Sequence, residues 1–409
     1  MTSATNALPI GLLRSPNFGA LWLAQVASRL GDPITLVALA YVSYARTRSA
    51  LITALAVVIA TVPNALFGLV AGAVSDSVGH RRAMIACDLV RFVLVALVPI
   101  SIGLGFSLAI PYVLVFGAAS CGAVFNPARL ALLPRIVGPK NLPGANALTY
   151  SSDRAVEILG AFAAGILVAL IGERAFYVDA LTFLLSAGLL SRIRIGEPRR
   201  PLVLRSIVSG AAEGAGFLWR QTVLRANTVV SLVCQLSVPI VASLAPSLIF
   251  QRYALGDAEL GASQFGMAEG GIALGAVIGG LLAIPRITTL PKGRVLLAAF
   301  AAYGCLLVVL ALAPTFELAL AIFTAIGLTN VIFYVPNVTL SQELTPPGLR
   351  ARVFGARIAL LNLSWLPVIV LTGALADAIG VPVLVAAAGL VTIGGAAIGA
   401  LFPTVRDVR

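Results

Sequence analysis

Twelve apolar runs, separated by short charged turns, set the limits on how this chain folds. They lie near residues 18–45, 50–74, 83–106, 109–133, 145–171, 174–191, 223–250, 263–285, 294–313, 316–342, 352–378 and 381–402. Most reach the roughly 20 residues that an α-helix needs to cross about 30 Å of hydrocarbon. Lipid offers no partner to an open backbone amide, so each run is predicted to be helical. The run at 174–191 is the shortest. The expected fold class is all-α: a polytopic membrane protein with twelve transmembrane helices in two pseudo-symmetric six-helix bundles. Charge is too scarce for any other solvent. Only 11% of the 409 residues are charged and 59% are hydrophobic, whereas soluble domains carry about a quarter charged residues.

The formal net charge of +12 reports topology rather than nucleic acid. With the N-terminus placed in the cytoplasm, 21 of the 28 Lys and Arg residues fall on the inner side. Arg46, Arg48, Arg174 and Arg252 fall outside, and Arg29, Arg91 and Arg154 stay within the runs. This is the positive-inside pattern, with anionic headgroups and membrane lipid as the partners of the basic face. Both termini are expected in the cytoplasm, at a bacterial inner membrane. The first run begins near Phe18 and is too long for a signal-peptide core, so no cleavable leader is expected. Cys87, Cys121, Cys234 and Cys305 each sit inside an apolar run without CxxC spacing. They read as small packing residues, not as a disulfide frame or a metal site. There is no P-loop and no nucleophile constellation around the single histidine, His80. No enzyme activity and no cofactor are expected.

Residues 192–222 form the longest polar stretch and divide the chain. The expected organisation is an N-terminal six-helix bundle (1–191), a cytoplasmic linker (192–222) and a C-terminal six-helix bundle (223–409). Residues 202–219 read as an amphipathic segment on the inner face; an ordinary flexible linker is the alternative. A faint internal repeat supports two halves. Phe125, Pro127, Pro139 and Leu142 recur as Phe333, Pro336, Pro346 and Leu349, at offsets of 207 to 209 residues. Paired bundles with a site between them are a transporter arrangement.

Residues 72–82 read GAVSDSVGHRR, a charged hairpin between two apolar runs. Its Gly72, Asp76, Gly79, Arg81 and Arg82 resemble the loop between the second and third helices of the major facilitator superfamily, with His80 where Arg is usual. The segments 17–32 (NFGALWLAQVASRLGD) and 345–357 (TPPGLRARVFGAR) are similar to the drug- and siderophore-exporter branch, the transmembrane secretion effectors. The resemblance implies that the hairpin latches the inner side. Asp76 would face the N-terminus of the eleventh helix near residues 348–352, where the helix dipole favours an anion. A solvated turn that only sets topology is the alternative. Residues 160–165 (GAFAAG) stand where antiporter-type exporters carry Gly-Pro-x-x-Gly-Gly; Ala161 and Ala164 depart from that pattern.

An ionisable group at bilayer depth costs at least ~2.5–3.5 kcal/mol, so each needs a partner or a task. Arg29 and Asp32 are three apart on one helical face and flank Gly31 and Pro33. They read either as a protonatable carboxylate with its partner or as a neutralised pair pinning a kink. Glu269 has no cation at helical spacing and is a second proton-coupling candidate, or a wetted vestibule residue. Asp153, Arg154 and Glu157 form an expected inner-mouth cluster. Asp88 and Arg91 look like a structural pair, Asp179 like the outer partner of Arg174, and Asp377 like a solvated terminus. Gln235, Asn337, Asn362 and Trp365 are candidate cavity liners.

These features point to a secondary transporter that moves a small amphipathic or hydrophobic molecule out of the cell by alternating access, driven by protons. An uptake symporter or lysolipid flippase on the same scaffold, and a non-transporting membrane sensor, are the rival readings. The expected partners are a small-molecule substrate, protons and lipid, the expected state is a monomer, and no metal is expected.

Overall fold

The structure, a computed structural model, describes residues 9–196, 204–283, 290–346 and 349–408. Among them the chain is helical throughout, with no strand. In the first half, α1 (Pro16–Thr47), α2 (Ala50–Val78) and α3 (His80–Gly103) are followed by α4 (Ala109–Ile171) and α5 (Ala175–Ser191). A short α6 (Leu204–Arg220) precedes α7 (Thr222–Gln235) and α8 (Ser237–Leu248), which form one span broken at Leu236. Then come α9 (Ala258–Ile278), α10 (Lys292–Leu312), α11 (Phe316–Glu343), α12 (Arg350–Ile379) and α13 (Val381–Ala400). Within the described residues, each of the twelve apolar runs falls mainly on helix. Among the described residues, eight helical stretches are by themselves long and apolar enough to cross a membrane.

Glycines in the left-handed region set two of the breaks. Gly79 (φ 97°) turns the chain between α2 and α3, and Gly138 (φ 72°) splits α4 into two limbs. Side chains with a Cβ avoid this region, so these turns need glycine. Within the helices, hydroxyls donate back to carbonyls one turn earlier, as Ser43 does to Leu39 (2.6 Å) and Thr324 to Leu320 (3.0 Å). Such bonds satisfy a polar group that lipid could not. On α3, Val90, Val93, Leu97 and Ile100 stay exposed, as suits a lipid-facing stripe.

The chain packs as two compact units. The first comprises Met1–Ala38, Ile59–Leu167 and Glu173–Leu204; the second comprises Leu39–Val58, Val168–Gly172 and Arg205–Arg409. In the first unit α3 lies along α5. Phe18, Leu21, Met84, Phe125, Leu132 and Leu190 form a buried cluster there. In the second unit α10 lies along α13 and α9 along α11. A Cβ at Gly304 would stand 2.6 Å from the Gly389 carbonyl oxygen, so these helices meet backbone to backbone. Small residues permit that approach, which is how helices associate where no hydrophobic force acts between them.

Residues Leu39–Val58 pack within the second unit. Asp377, near the end of α12, accepts from the Ala50 amide (2.8 Å) and the Ser49 hydroxyl (2.7 Å). It therefore caps the start of α2 while its side chain stays exposed at the helix end. Tyr44 stacks on Phe250 with ring centroids 4.8 Å apart, and Arg48 donates to the Gly256 carbonyl.

Candidate functional site

The most unusual chemistry of the first unit lies halfway along α1. Pro33 lies inside the helix there, which continues through it, and Asp32 projects beside it. The partner of Asp32 is Arg91 of α3, whose Nη2 donates to Asp32 Oδ1. It is not Arg29, the neighbour three residues away. Arg29 instead donates to Asn126 Oδ1 of α4 at 3.4 Å. Arg91 also reaches Ser28 Oγ (3.3 Å), stands 4.0 Å from Asp88 Oδ1 and lies over the Phe183 ring at 3.8 Å.

Asp179 of α5 joins this group instead of pairing with Arg174. Thr35 of α1 donates to its Oδ2, and Thr182 donates to its Oδ1 (3.3 Å). The packing explains why residue 31 is glycine: a Cβ there would fall on Asp179 Oδ1 and 2.5 Å from Thr182 Oγ1. The role of Gly31 is thus to admit a carboxylate from another helix. Asp88 and Asp179 are fully buried, while the Asp32 side chain is 43% exposed. Among the described residues neither oxygen of Asp88 has a hydrogen-bond partner.

Arg91 thus bonds Asp32 and stands 4.0 Å from Asp88, while Asp179, held by Thr35 and Thr182, completes a group of three carboxylates around one guanidinium without a direct bond to it among the described residues. Arg91 keeps its charge at any ordinary pH. With all three acids ionised the group would carry a charge of −2, and it becomes neutral when it holds two protons. The exposure runs from open to closed along the group: Asp32 meets open space, Arg91 is buried behind it, and Asp88 and Asp179 lie deepest.

A second polar site lies along the same helices. Gln25 of α1 donates to Asp153 Oδ1, and Arg129 donates to Asp153 Oδ2 at 3.4 Å. Trp22 donates to Ser152 at 2.8 Å, and Trp22, Gln25, Arg129 and Thr149 line a small cleft. Of the expected inner-mouth cluster, Asp153 is bound in this way and Glu157 is exposed, while the Arg154 side chain lies outside the described residues.

The second unit holds a polar cluster of its own at comparable distances along the sequence. Its Ser231, Asn337 and Arg357 stand 206, 208 and 204 residues after Gln25, Arg129 and Asp153. Arg357 of α12 donates to Ser341 Oγ (2.6 Å), Ser231 Oγ (3.3 Å) and Asn337 Oδ1. Asn227 also donates to Asn337 Oδ1, at 2.8 Å. Asn337, expected to line a cavity, is instead buried and spent on Arg357. Gln235, Asn362 and Trp365 are half-buried, and Trp365 Nε1 has no partner among the described residues. Glu269 is half-buried on α9. Neither the Arg129–Asp153 pair nor the Arg357 cluster was singled out from local spacing. The repeat offset, extended outward from Phe125 and Phe333, would have matched Arg129 to Asn337.

In the hairpin, Gly79 makes the turn and Arg81 donates to the Leu190 (3.0 Å) and Ser191 (2.6 Å) carbonyls, so it closes the C-terminus of α5. That is the end of a helix where a cation is favoured. Arg82 is exposed. The latch expected of Gly72 and Asp76 turns on side chains that lie outside what the structure describes.

Comparison with known proteins agrees with this architecture. Residues 7–407 match the family described as transmembrane secretion effector. The multidrug efflux pump Tap of Mycolicibacterium fortuitum is 28% identical over 398 residues, spanning 94% of this chain and 95% of that protein. Tap of Mycobacterium tuberculosis is 25% identical, spanning 97% and 96%. Among solved structures, an auto-inhibited POT family peptide transporter aligns with a TM-score of 0.74 at 13% identity, covering 96% of this chain and 97% of that one. That last likeness speaks to fold alone. With a family match across nearly its whole length and an all-helical fold shared with such transporters, the chain belongs to the transmembrane secretion effectors of the major facilitator superfamily: it is a multi-pass membrane transporter, not an enzyme.

Proposed function

We propose that this transporter exports a small amphipathic or hydrophobic molecule across a bacterial inner membrane in exchange for protons. The observation that carries the reading is the excess of acid at one place: Arg91 bonds Asp32 and stands 4.0 Å from Asp88, and the buried Asp179 packs against the same stretch of α1. A site with more acids than cations changes its charge each time it takes or gives a proton. At membrane depth such a change alters the relative cost of states that differ in access to water. Asp32, the open member, is the exchange point with solvent; Arg91 holds it and links it to the two buried acids. Glu269 is a second proton-holding candidate in the other unit, and Arg29 tunes the field from the next helical turn. The name of the Tap relatives supports export. An apolar substrate is supported by the shortage of free polar groups, now that Asn337 is engaged by Arg357; Gln235, Asn362 and Trp365 remain as contacts. The two bundles, joined by residues 192–222, act as the moving parts.

The test is dye transport in inverted vesicles energised by an imposed pH gradient, using a panel of apolar fluorescent dyes. The expected result is gradient-driven dye accumulation that Asp32→Asn abolishes while dye binding persists. Unchanged gradient-driven transport by Asp32→Asn would overturn the coupling role. Accumulation only under the reversed gradient would replace export with uptake.

A further inference from the structure

Three arginines are buried among the described residues: Arg91, Arg129 and Arg357. Two of them meet a carboxylate. Arg91 bonds Asp32, and Arg129 faces Asp153 at 3.4 Å. Arg357 is the most deeply buried, at 4% exposure, and its partners among the described residues are all neutral. Its Nη1 donates to Ser341 Oγ and to the Asn337 carbonyl, and its Nη2 to Ser231 Oγ and Asn337 Oδ1. Glu213, Glu343, Asp377 and Asp407 of the same unit are committed elsewhere, to Arg352, Lys292, the start of α2 and Arg294. Shutting a charge away from water without a counter-charge is costly, and neutral oxygens repay only part of that cost.

The same cluster leaves hydrogen-bonding atoms open. Arg357 Nε, Asn227 Oδ1 and Thr228 Oγ1 are buried and have no partner among the described residues. Asn227 belongs to the cluster directly: its Nδ2 donates to Asn337 Oδ1 at 2.8 Å, the atom that also accepts from Arg357. Thr228 lies one turn before Ser231 on α7, and Asn227, Thr228 and Ser231 are fully buried. The open set is therefore one charged donor, one hydroxyl and one acceptor. A halide would serve the first two and leave Asn227 Oδ1 unpaired. A carboxylate with a hydroxyl or amide N–H beside it serves all three. One guanidinium neutralises one negative charge, whereas a dianion would leave a net charge in the same buried place.

We propose that Arg357 receives the charged end of the transported molecule, and that this molecule is a monovalent organic acid with a hydrogen-bond donor beside its carboxylate and an apolar body. The proposal deepens the export reading and rests on it, because Arg357 is closed off in this conformation and alternating access is what opens such a site. Arg357 Nε and the Thr228 hydroxyl donate to the carboxylate, and Asn227 Oδ1 accepts from the neighbouring donor. The apolar body extends along α12 toward Trp365, eight residues and about 12 Å farther along the helix axis.

The test is isothermal titration calorimetry on the full chain in detergent with phenyllactate, which has a carboxylate, a neighbouring hydroxyl and a phenyl body. Saturable binding is expected. The neutral phenyllactamide should bind at least about ten-fold more weakly, through loss of one charge-assisted hydrogen bond. Hydrocinnamate, which lacks the hydroxyl, should also bind more weakly. Arg357→Gln should lose the preference for acid over amide, and Arg357→Lys, which keeps the charge, should retain it. Four results would each overturn the proposal: no saturable binding of phenyllactate, equal binding of acid and amide, equal binding of hydrocinnamate and phenyllactate, or an undiminished preference in Arg357→Gln. The comparison of the three ligands uses the unaltered chain, so it decides even where a variant does not fold. Displacement of the acid by chloride, and not by sulfate at equal ionic strength, would mark a halide counter-ion site and overturn the substrate assignment. The assay applies no pH gradient, so its outcome is separate from proton coupling, which the vesicle experiment reads.

Discussion

Arg129 is held by a carboxylate and Arg357 by neutral oxygens, and this predicts different responses to mutation. Arg129 and Asp153 are 10% and 15% exposed, with Nη1 and Oδ2 3.4 Å apart. At an effective dielectric constant of about 20, their attraction is about 5 kcal/mol. Desolvation of both groups cancels most of that, so the pair as a whole contributes little, whereas one stranded partner costs about 3–5 kcal/mol. Asp153→Asn keeps an oxygen for Gln25 to donate to but leaves Arg129 without its anion, so a loss of about 3 kcal/mol is expected. Arg129→Gln combined with Asp153→Asn removes both charges and should recover at least half of that loss. Arg357 is bound only by neutral oxygens. Arg357→Gln strands no carboxylate and should cost about 1 kcal/mol, the worth of an ordinary hydrogen-bond loss. The assay is reversible unfolding in mixed detergent micelles, read by far-UV circular dichroism, as a double-mutant cycle. A double variant no more stable than Asp153→Asn, or an Arg357→Gln loss as large as that of Asp153→Asn, would refute the reasoning.

Three further outcomes follow from specific contacts. Asp377→Ala removes both acceptors at the start of α2, a capping loss of about 1 kcal/mol, and hydrogen exchange over residues 50–53 should quicken about five-fold; unchanged exchange there refutes the cap. Gly31→Ala drives a Cβ into Asp179 and Thr182, an overpacking cost of about 1–3 kcal/mol, seen as a lower Tm; an unchanged Tm would mean that Asp179 stands elsewhere. At the C-terminus, hydrogen bonds from Arg406 and then Arg294 hold the exposed Asp407 carboxyl down at about 2, below its ordinary 3.8. A lowered carboxyl favours the docked form above its ordinary value and loses that preference as pH falls. Protection of residues 403–408 from proteolysis should therefore persist down to about pH 4 and disappear toward pH 2; release on raising the pH instead would have the wrong sign.

The linker shows how far local pattern carries. Residues 202–219 read as amphipathic, and α6 forms from Leu204 to Arg220. What α6 rests on was not legible. Glu213 pairs with Arg352, and a Cβ at Gly214 would collide with the Arg352 carbonyl, so α6 lies directly on the first turn of α12. The charge cluster follows the same rule. Asp32, Asp88, Arg91 and Asp179 each stood out as a charge inside an apolar run, but spacing assigned two of the pairs wrongly: Arg29 for Asp32, and Arg174 for Asp179. Asp377 stood out as well, but the helix start it caps lies more than three hundred residues earlier.

Helix, number of apolar runs and their Gly-marked turns were determined by sequence alone, because lipid leaves the backbone no other way to satisfy itself and a left-handed turn leaves the chain few residues but glycine. Which charge meets which was decided only by tertiary structure. Helical periodicity relates residues three or four apart on one rod, while Arg91 reaches Asp32 across 59 positions and Arg357 reaches Ser231 across 126. Those distances close only when separate helices pack, and packing depth then determines whether a carboxylate faces open space, as Asp32 does, or is shut in, as Asp88 and Asp179 are.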